Sequence, residues 1–224
     1  MNLRTIAKIT GGSLVAMAIV SSVSLVYAYE TVLKAFQTET LRKAIEYFYL
    51  FKIIIIGLLL TIILDFIVSF TLYKYFKNDH KRISLIAAIF RVVYTLILLL
   101  SGFPLINCFA IWNSDQAGII NNLECFMFIW TSGLIIFGFH ITLVGYLMKI
   151  HQKIPKILWI ITLLAGVSYV IVHLLKVIPT FELLAKYLEI ILMLPMAAGE
   201  LGLAIWLIVK GGKVKKISLI EPNK

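Results

Sequence analysis

Residues 50–73 read LFKIIIIGLLLTIILDFIVSFTLY, residues 74–82 read KYFKNDHKR, and residues 83–107 read ISLIAAIFRVVYTLILLLSGFPLIN. Each apolar run exceeds the ~20 helical residues that cross about 30 Å of hydrocarbon. Period-2 alternation is absent, and unpaired backbone is intolerable in lipid, so both runs are read as helices. The turn between them carries Lys74, Lys77, Lys81 and Arg82. A transmembrane helical hairpin with a basic tip follows.

Working outward, the runs 9–29, 124–148, 157–178 and 188–209 have the same character. The prediction is an all-α polytopic transmembrane bundle of six helices, forming a single integral membrane domain over residues 1–224. Composition agrees: 61% of the residues are hydrophobic, against ~45–50% in soluble globular chains. The mean hydropathy is +1.00.

The net charge of +10 is distributed as the positive-inside rule requires. Arg4 and Lys8 precede the first run, Lys149, Lys153 and Lys156 follow the fourth, and Lys210, Lys213, Lys215, Lys216 and Lys224 follow the last. On the opposite side Lys34, Arg42, Lys43, Lys176 and Lys186 are offset by Glu30, Glu39, Glu46, Asp115, Glu124, Glu182 and Glu189. Both chain ends are therefore expected in the cytoplasm, with anionic lipid headgroups as the partner of the basic residues rather than nucleic acid. Tyr47 and Tyr49 suit the outer interface, and Tyr73, Tyr75, Trp159 and Trp206 the inner one.

Three features have two readings each. Arg4, Lys8 and the stretch Val26-Tyr27-Ala28 imitate a signal peptide; an uncleaved first helix is preferred, because 9–29 is long enough to span. Residues 30–48 place Val32, Leu33, Phe36, Leu41, Ile45 and Phe48 at helical spacing. That pattern suits an amphipathic helix on the outer surface, or an extension of the second membrane helix. Cys108 and Cys125 both fall near the outer edge, as a disulfide or as free thiols.

Ionisable groups in lipid cost ~2.5–3.5 kcal/mol each even on lenient scales. Asp65 lies eight residues before 73, Arg91 eight after 83, His140 eight before 148 and Glu200 nine before 209. At about 1.5 Å per residue all four are ~12–14 Å deep. Tyr169 is about one turn further out. The plain interpretation is an Asp65–Arg91 ion pair holding helices together, with His140 and Glu200 adding a hydrogen bond. The functional interpretation starts from charge: with His140 neutral, one Arg faces two carboxylates. Either His140 is protonated, Glu200 holds a proton, or a cation binds nearby. Pro195 favours a kink one turn before Glu200. Ala198 and Gly202, and Gly138 with Gly145, offer small faces for helix packing.

Other chemistries lack their signatures. His173 is about 12 Å further out than His140, which disfavours paired haem ligation. His80 and His151 are loop residues, and Lys52 can snorkel to headgroups. No HExxH, CxxC, P-loop or GxSxG occurs, so neither a metal nor a cofactor is expected. Gly211-Gly212 ends the last helix.

Ala87-Ala88-Ile89-Phe90-Arg91, Phe137-Gly138-Phe139-His140, Gly145-Tyr146-Leu147, Ile154-Pro155, and Gly199-Glu200-Leu201 with Trp206-Leu207 carry a resemblance. In that order they resemble the bacterial membrane family called domain of unknown function 4386. The likeness covers nearly the whole chain and is clearest after residue 83. It implies a multi-helix bacterial inner-membrane protein and implies no activity.

Three functions compete. One is binding of a proton, cation or small amphiphile at the polar layer, as a transporter-like or sensor component. Another is a structural or partner-binding subunit whose polar layer only specifies packing. The last is an intramembrane enzyme using His140 as base with Glu200 or Tyr169. The first requires a water-accessible cavity reaching Glu200 and His140.

Overall fold

The computed structural model describes residues 1–213; Lys215, Lys216 and Lys224 of the basic tail lie outside the described residues, as does the side chain of Glu182. Helix is the only regular structure among the described residues. The first rod comprises α1 (Leu3–Ser21), a π-helical stretch (Ser22–Ala28) and α2 (Tyr29–Thr38). A short α3 (Leu41–Ala44) and a 3-10 turn (Ile45–Tyr47) lead into α4 (Phe48–Ile111). α5 (Gln116–Ile150), α6 (Lys156–Val177) and α7 (Glu182–Val209) complete the bundle.

Five helices are long and apolar enough to cross a membrane: Leu3–Thr38, Leu41–Ile111, Gln116–Ile150, Lys156–Val177 and Leu183–Val209. The second is not straight. Over a straight helix residues 65 and 91 stand about 39 Å apart, yet Arg91 Nε donates to Asp65 Oδ1 at 2.8 Å. The backbone leaves helical geometry at His80 (φ −158°, ψ 95°), and the chain returns antiparallel to itself. Ser84 Oγ donates to the Tyr73 carbonyl (3.0 Å) and Ser69 Oγ to that of Ala88 (3.1 Å), zipping the two arms together. The Ile83 N–H meets His80 Nδ1 at 3.3 Å and so finds a side-chain partner at the start of the second arm. The hairpin read from residues 50–107 is thus present as two arms of one element.

The 30–48 segment divides at residue 39. Residues 41–47 extend the second membrane helix, within the span Leu41–Ile111, while the part through Thr38 continues the first rod and turns its apolar face into the bundle instead of onto a membrane surface. Tyr29, Val32, Ala35 and Phe36 are buried. The Tyr29 hydroxyl donates to the Leu123 carbonyl (3.0 Å), and Phe36 packs edge-on against Trp112 at 4.9 Å. Gln116 Nε2 donates to the carbonyls of Phe36 (2.5 Å) and Glu39 (2.9 Å), closing the end of α2. Cys108 and Cys125 are free thiols, the first buried and the second exposed.

The opposite end of the bundle gathers the chain start, the α4 turn, the end of α5 and the end of α7. Arg4 donates to the carbonyls of Leu207 (3.2 Å), Ile208 (2.6 Å) and Gly211 (2.8 Å), at the end of α7 where carbonyls run out of intrahelical donors. Gly212 follows in the left-handed region (φ 66°), as helix-ending glycines do. A Cβ there would lie 2.7 Å from Arg4 N. His151 joins Asp79 (2.7 Å) and the Tyr75 hydroxyl (3.4 Å).

Small residues set the α5–α6 and α6–α7 contacts. A Cβ on Gly138 would lie 2.8 Å from Val170 N, and one on Gly145 2.9 Å from Leu163 N. On α7 the close approach belongs to Gly199, where a Cβ would meet that of Ala165 at 2.8 Å, together with Gly202 against Leu158. Ala198, expected as a partner of Gly202, is only half-buried.

The apolar core is two clusters. One holds Leu25, Phe36, Phe51, Leu58, Leu98 and Phe126, and the other holds Leu14, Val68, Leu72, Val144, Met148 and Leu207. Along α4 the boundary between them falls at Asp65 and Arg91, and along α5 it falls just past His140, between Ile141 and Val144.

Candidate functional site: a polar layer and a side crevice

Asp65, Arg91 and His140 come from the two arms of α4 and from α5, and all are buried. Arg91 is the hub. Its Nε and Nη2 reach Asp65 Oδ1 at 2.8 and 2.6 Å. Its Nη1 lies 3.0 Å from His140 Nε2. Nη2 also meets Met17 Sδ at 3.8 Å, and the guanidinium sits 5.4 Å from the Phe137 ring centre.

These contacts fix the imidazole. Arginine can only donate, so His140 Nε2 accepts and the proton sits on Nδ1. Nδ1 then donates to the Ala87 carbonyl at 2.8 Å. His140 is neutral, with both ring nitrogens used. Of the three outcomes allowed by charge counting, protonated His140 is removed. Asp65 and Arg91 neutralise one another, although Asp65 Oδ2 has no partner among the described residues.

Glu200 does not join this cluster by any hydrogen bond. Its Oε1 is buried and without a partner among the described residues, while the side chain as a whole is half-buried. It lines a crevice of about 320 Å³ between α1 and α7. Tyr169, Tyr94, Trp130, Phe137 and Met17 form the floor and walls. Ser22, Val26, Ala197 and Leu201, all exposed, frame the mouth on the side of the bundle. Tyr169, expected within reach of the layer, lies in this crevice with its ring 5.3 Å edge-on from Phe137.

The five expected residues thus divide. Asp65, Arg91 and His140 form a bonded cluster; Glu200 and Tyr169 face a crevice that does not include His140. The required cavity exists at Glu200 only. As the base of an enzyme, His140 has no free nitrogen.

Several contributors were not among the five residues expected at the site. Tyr94 stands one turn from Arg91 and Phe137 one turn from His140, so i, i+3 spacing contained their signal. Trp130 Nε1 donates to the Tyr94 hydroxyl at 3.2 Å. Met17, a single methionine in an apolar helix, carried none. The π-helical stretch was also invisible; within it Ser24 nests against Gly57.

Fold and site together define a class: a protein whose described residues form helices alone, five of them apolar and long enough to cross a membrane, with a buried Asp–Arg–His cluster and a glutamate oxygen that has no partner among those residues beside a lateral crevice. The chain belongs to the family described as Domain of unknown function (DUF4386), whose profile matches residues 9–211. It is also similar to an uncharacterized protein of Archaeoglobus fulgidus, 30% identical over 163 residues, covering 73% of this chain and 86% of that protein. No solved structure matches.

Proposed function

We propose that this chain is a membrane protein of six crossings that binds a small amphiphile through Glu200. The ligand carries a cationic or hydrogen-bond-donating head and enters sideways from the bilayer. The single observation that carries this is Glu200 Oε1, a buried carboxyl oxygen without a partner among the described residues, beside an open crevice. A lone buried acceptor is costly, and a donor or cation from a ligand removes the cost. The crevice walls are apolar and aromatic, which favours a tail. The Glu200 carboxyl and the Tyr169 hydroxyl favour the head.

Parity supports six crossings. Arg4 binds the carbonyls that end α7, so the first and last spans share an end, which an even number of crossings requires. Counting each α4 arm as one crossing gives that number. The lysine-rich end is the cytoplasmic one on the positive-inside rule, in the cytoplasmic membrane of the cell. There its basic residues meet anionic headgroups. Asp65, Arg91 and His140 are assigned to structure: they specify how α4 and α5 pack.

Hydrophobic carbodiimides attack protonated carboxyl groups in apolar surroundings, which makes them a direct probe. Glu200 is expected to be labelled, Asp65 spared by its ion pair, and labelling suppressed by long-chain amines. Glu200→Gln abolishes labelling while keeping the fold. Labelling of Asp65 instead, or labelling indifferent to amphiphiles, contradicts the assignment.

A further inference from the structure

A second cavity lies at the lysine-rich end, about 740 Å³ in volume and remote from Glu200. Tyr75, His151, Lys153, Trp206, Lys210 and Lys213 line it. Trp206 is 7% exposed, and its Nε1 is buried with no partner among the described residues. An indole N–H can only donate, and an ammonium group can only donate. The His151 ring is held by Asp79 through Nδ1 (2.7 Å) and stands edge-on to Trp206, with ring centres 6.1 Å apart. One carboxylate oxygen of Asp79, Oδ2, is thereby engaged by His151. Apart from the Tyr75 hydroxyl and the second nitrogen of His151, which lie 3.4 Å from one another, the lining side chains among the described residues offer donors and no acceptors.

A buried donor needs an acceptor, and three lysines at one mouth need negative charge. We infer that this cavity is an anion site for a phosphate-bearing group, held by the Trp206 Nε1–H and by Lys153, Lys210 and Lys213. A phospholipid headgroup and a soluble phosphate share that chemistry. The position at the end of the bundle suits both. Aromatic residues at a membrane interface commonly turn a polar atom to bulk solvent. Trp206 differs, because its nitrogen is enclosed, with no partner among the described residues, in a side chain that lines the lysine-bearing cavity.

The experiment uses the full chain in phosphatidylcholine nanodiscs, with isotope-labelled tryptophan. The Trp206 indole N–H resonance is assigned by its absence in Trp206→Phe. One arm adds phosphatidic acid to the disc, and the other adds inorganic phosphate to the buffer. The expected result is a saturable downfield shift of that resonance in at least one arm. Lys210→Gln/Lys213→Gln, at exposed positions that leave the fold alone, weakens the response about tenfold or more. A shift with phosphatidic acid only identifies a lipid headgroup, and a shift with inorganic phosphate in pure phosphatidylcholine identifies a soluble anion; either upholds the site. A resonance that stays put in both arms, or an undiminished response in the lysine variant, overturns it. Glu200 plays no part in this readout, so the two sites stand or fall separately.

Discussion

Arg91 is a fully buried cation whose guanidinium touches a carboxylate, an imidazole, a thioether and an aromatic ring. Removing one partner of such a pair strands the other charge in a low-dielectric interior, at about 3–5 kcal/mol. Asp65→Ala is therefore expected to lower unfolding stability by about that much, read by thermal or denaturant melts in detergent, with a parallel fall in abundance. A loss under ~1 kcal/mol, the size of an exposed pair, means the pair is not the structural hub described above. His140→Phe keeps the ring volume but forfeits the acceptor for Arg91 and the donor for Ala87, so it also destabilises. How much of this was legible follows from one coordinate. Depth along a helix is fixed by residue number, so Asp65, Arg91 and His140 came out level from counting. Rotation about each helix axis is not fixed that way, so counting could not tell that Glu200 lines the crevice without a hydrogen bond to Arg91.

The helices repay the same treatment. The hairpin of α4 is written in its two apolar runs and basic turn, because only water-exposed residues tolerate that break. The helical spacing of Val32 and Phe36 was readable, but the continuation of the first rod through residue 38 was hidden, since Glu30 and Lys34 suggest a break after the first span while Tyr29, Val32 and Phe36 form the buried stripe. A stripe declares that a face is covered and is silent about by what. The α5–α6 contact makes the sharpest prediction among the helices. Gly138 sits where a Cβ would lie 2.9 Å from the Gly166 carbonyl oxygen, and Gly166 faces Thr142 in return. Gly138→Leu forces these backbones apart and is expected to cost roughly 1–3 kcal/mol, the usual penalty of overpacking. Gly12, with open space around it, serves as the control: Gly12→Ala leaves the melting temperature unchanged or slightly raised, as helix propensity predicts. Equal effects at the two positions rule out tight α5–α6 packing.

For the molecule as a whole, two apolar clusters enclose a polar layer, and a lateral crevice opens beside it. The same contacts that gather Arg4, Asp79, His151 and Lys210 at one end make a topology that can be measured. Single cysteines at Asn78 and Ser114, in a background lacking Cys108 and Cys125, are expected to react with impermeant maleimide from opposite sides of the membrane. Asn78 is reached from the cytoplasm. Reaction of both from one side contradicts six crossings.

The proposed ligand site is tested most directly by a ligand-retaining structure of the full chain in lipid nanodiscs. The expected result is non-protein density within hydrogen-bonding distance, ~3 Å, of the Glu200 carboxyl, continuing outward between Val26 and Ala197. A closed crevice with both Glu200 oxygens bonded to groups of the protein itself is the result that contradicts it.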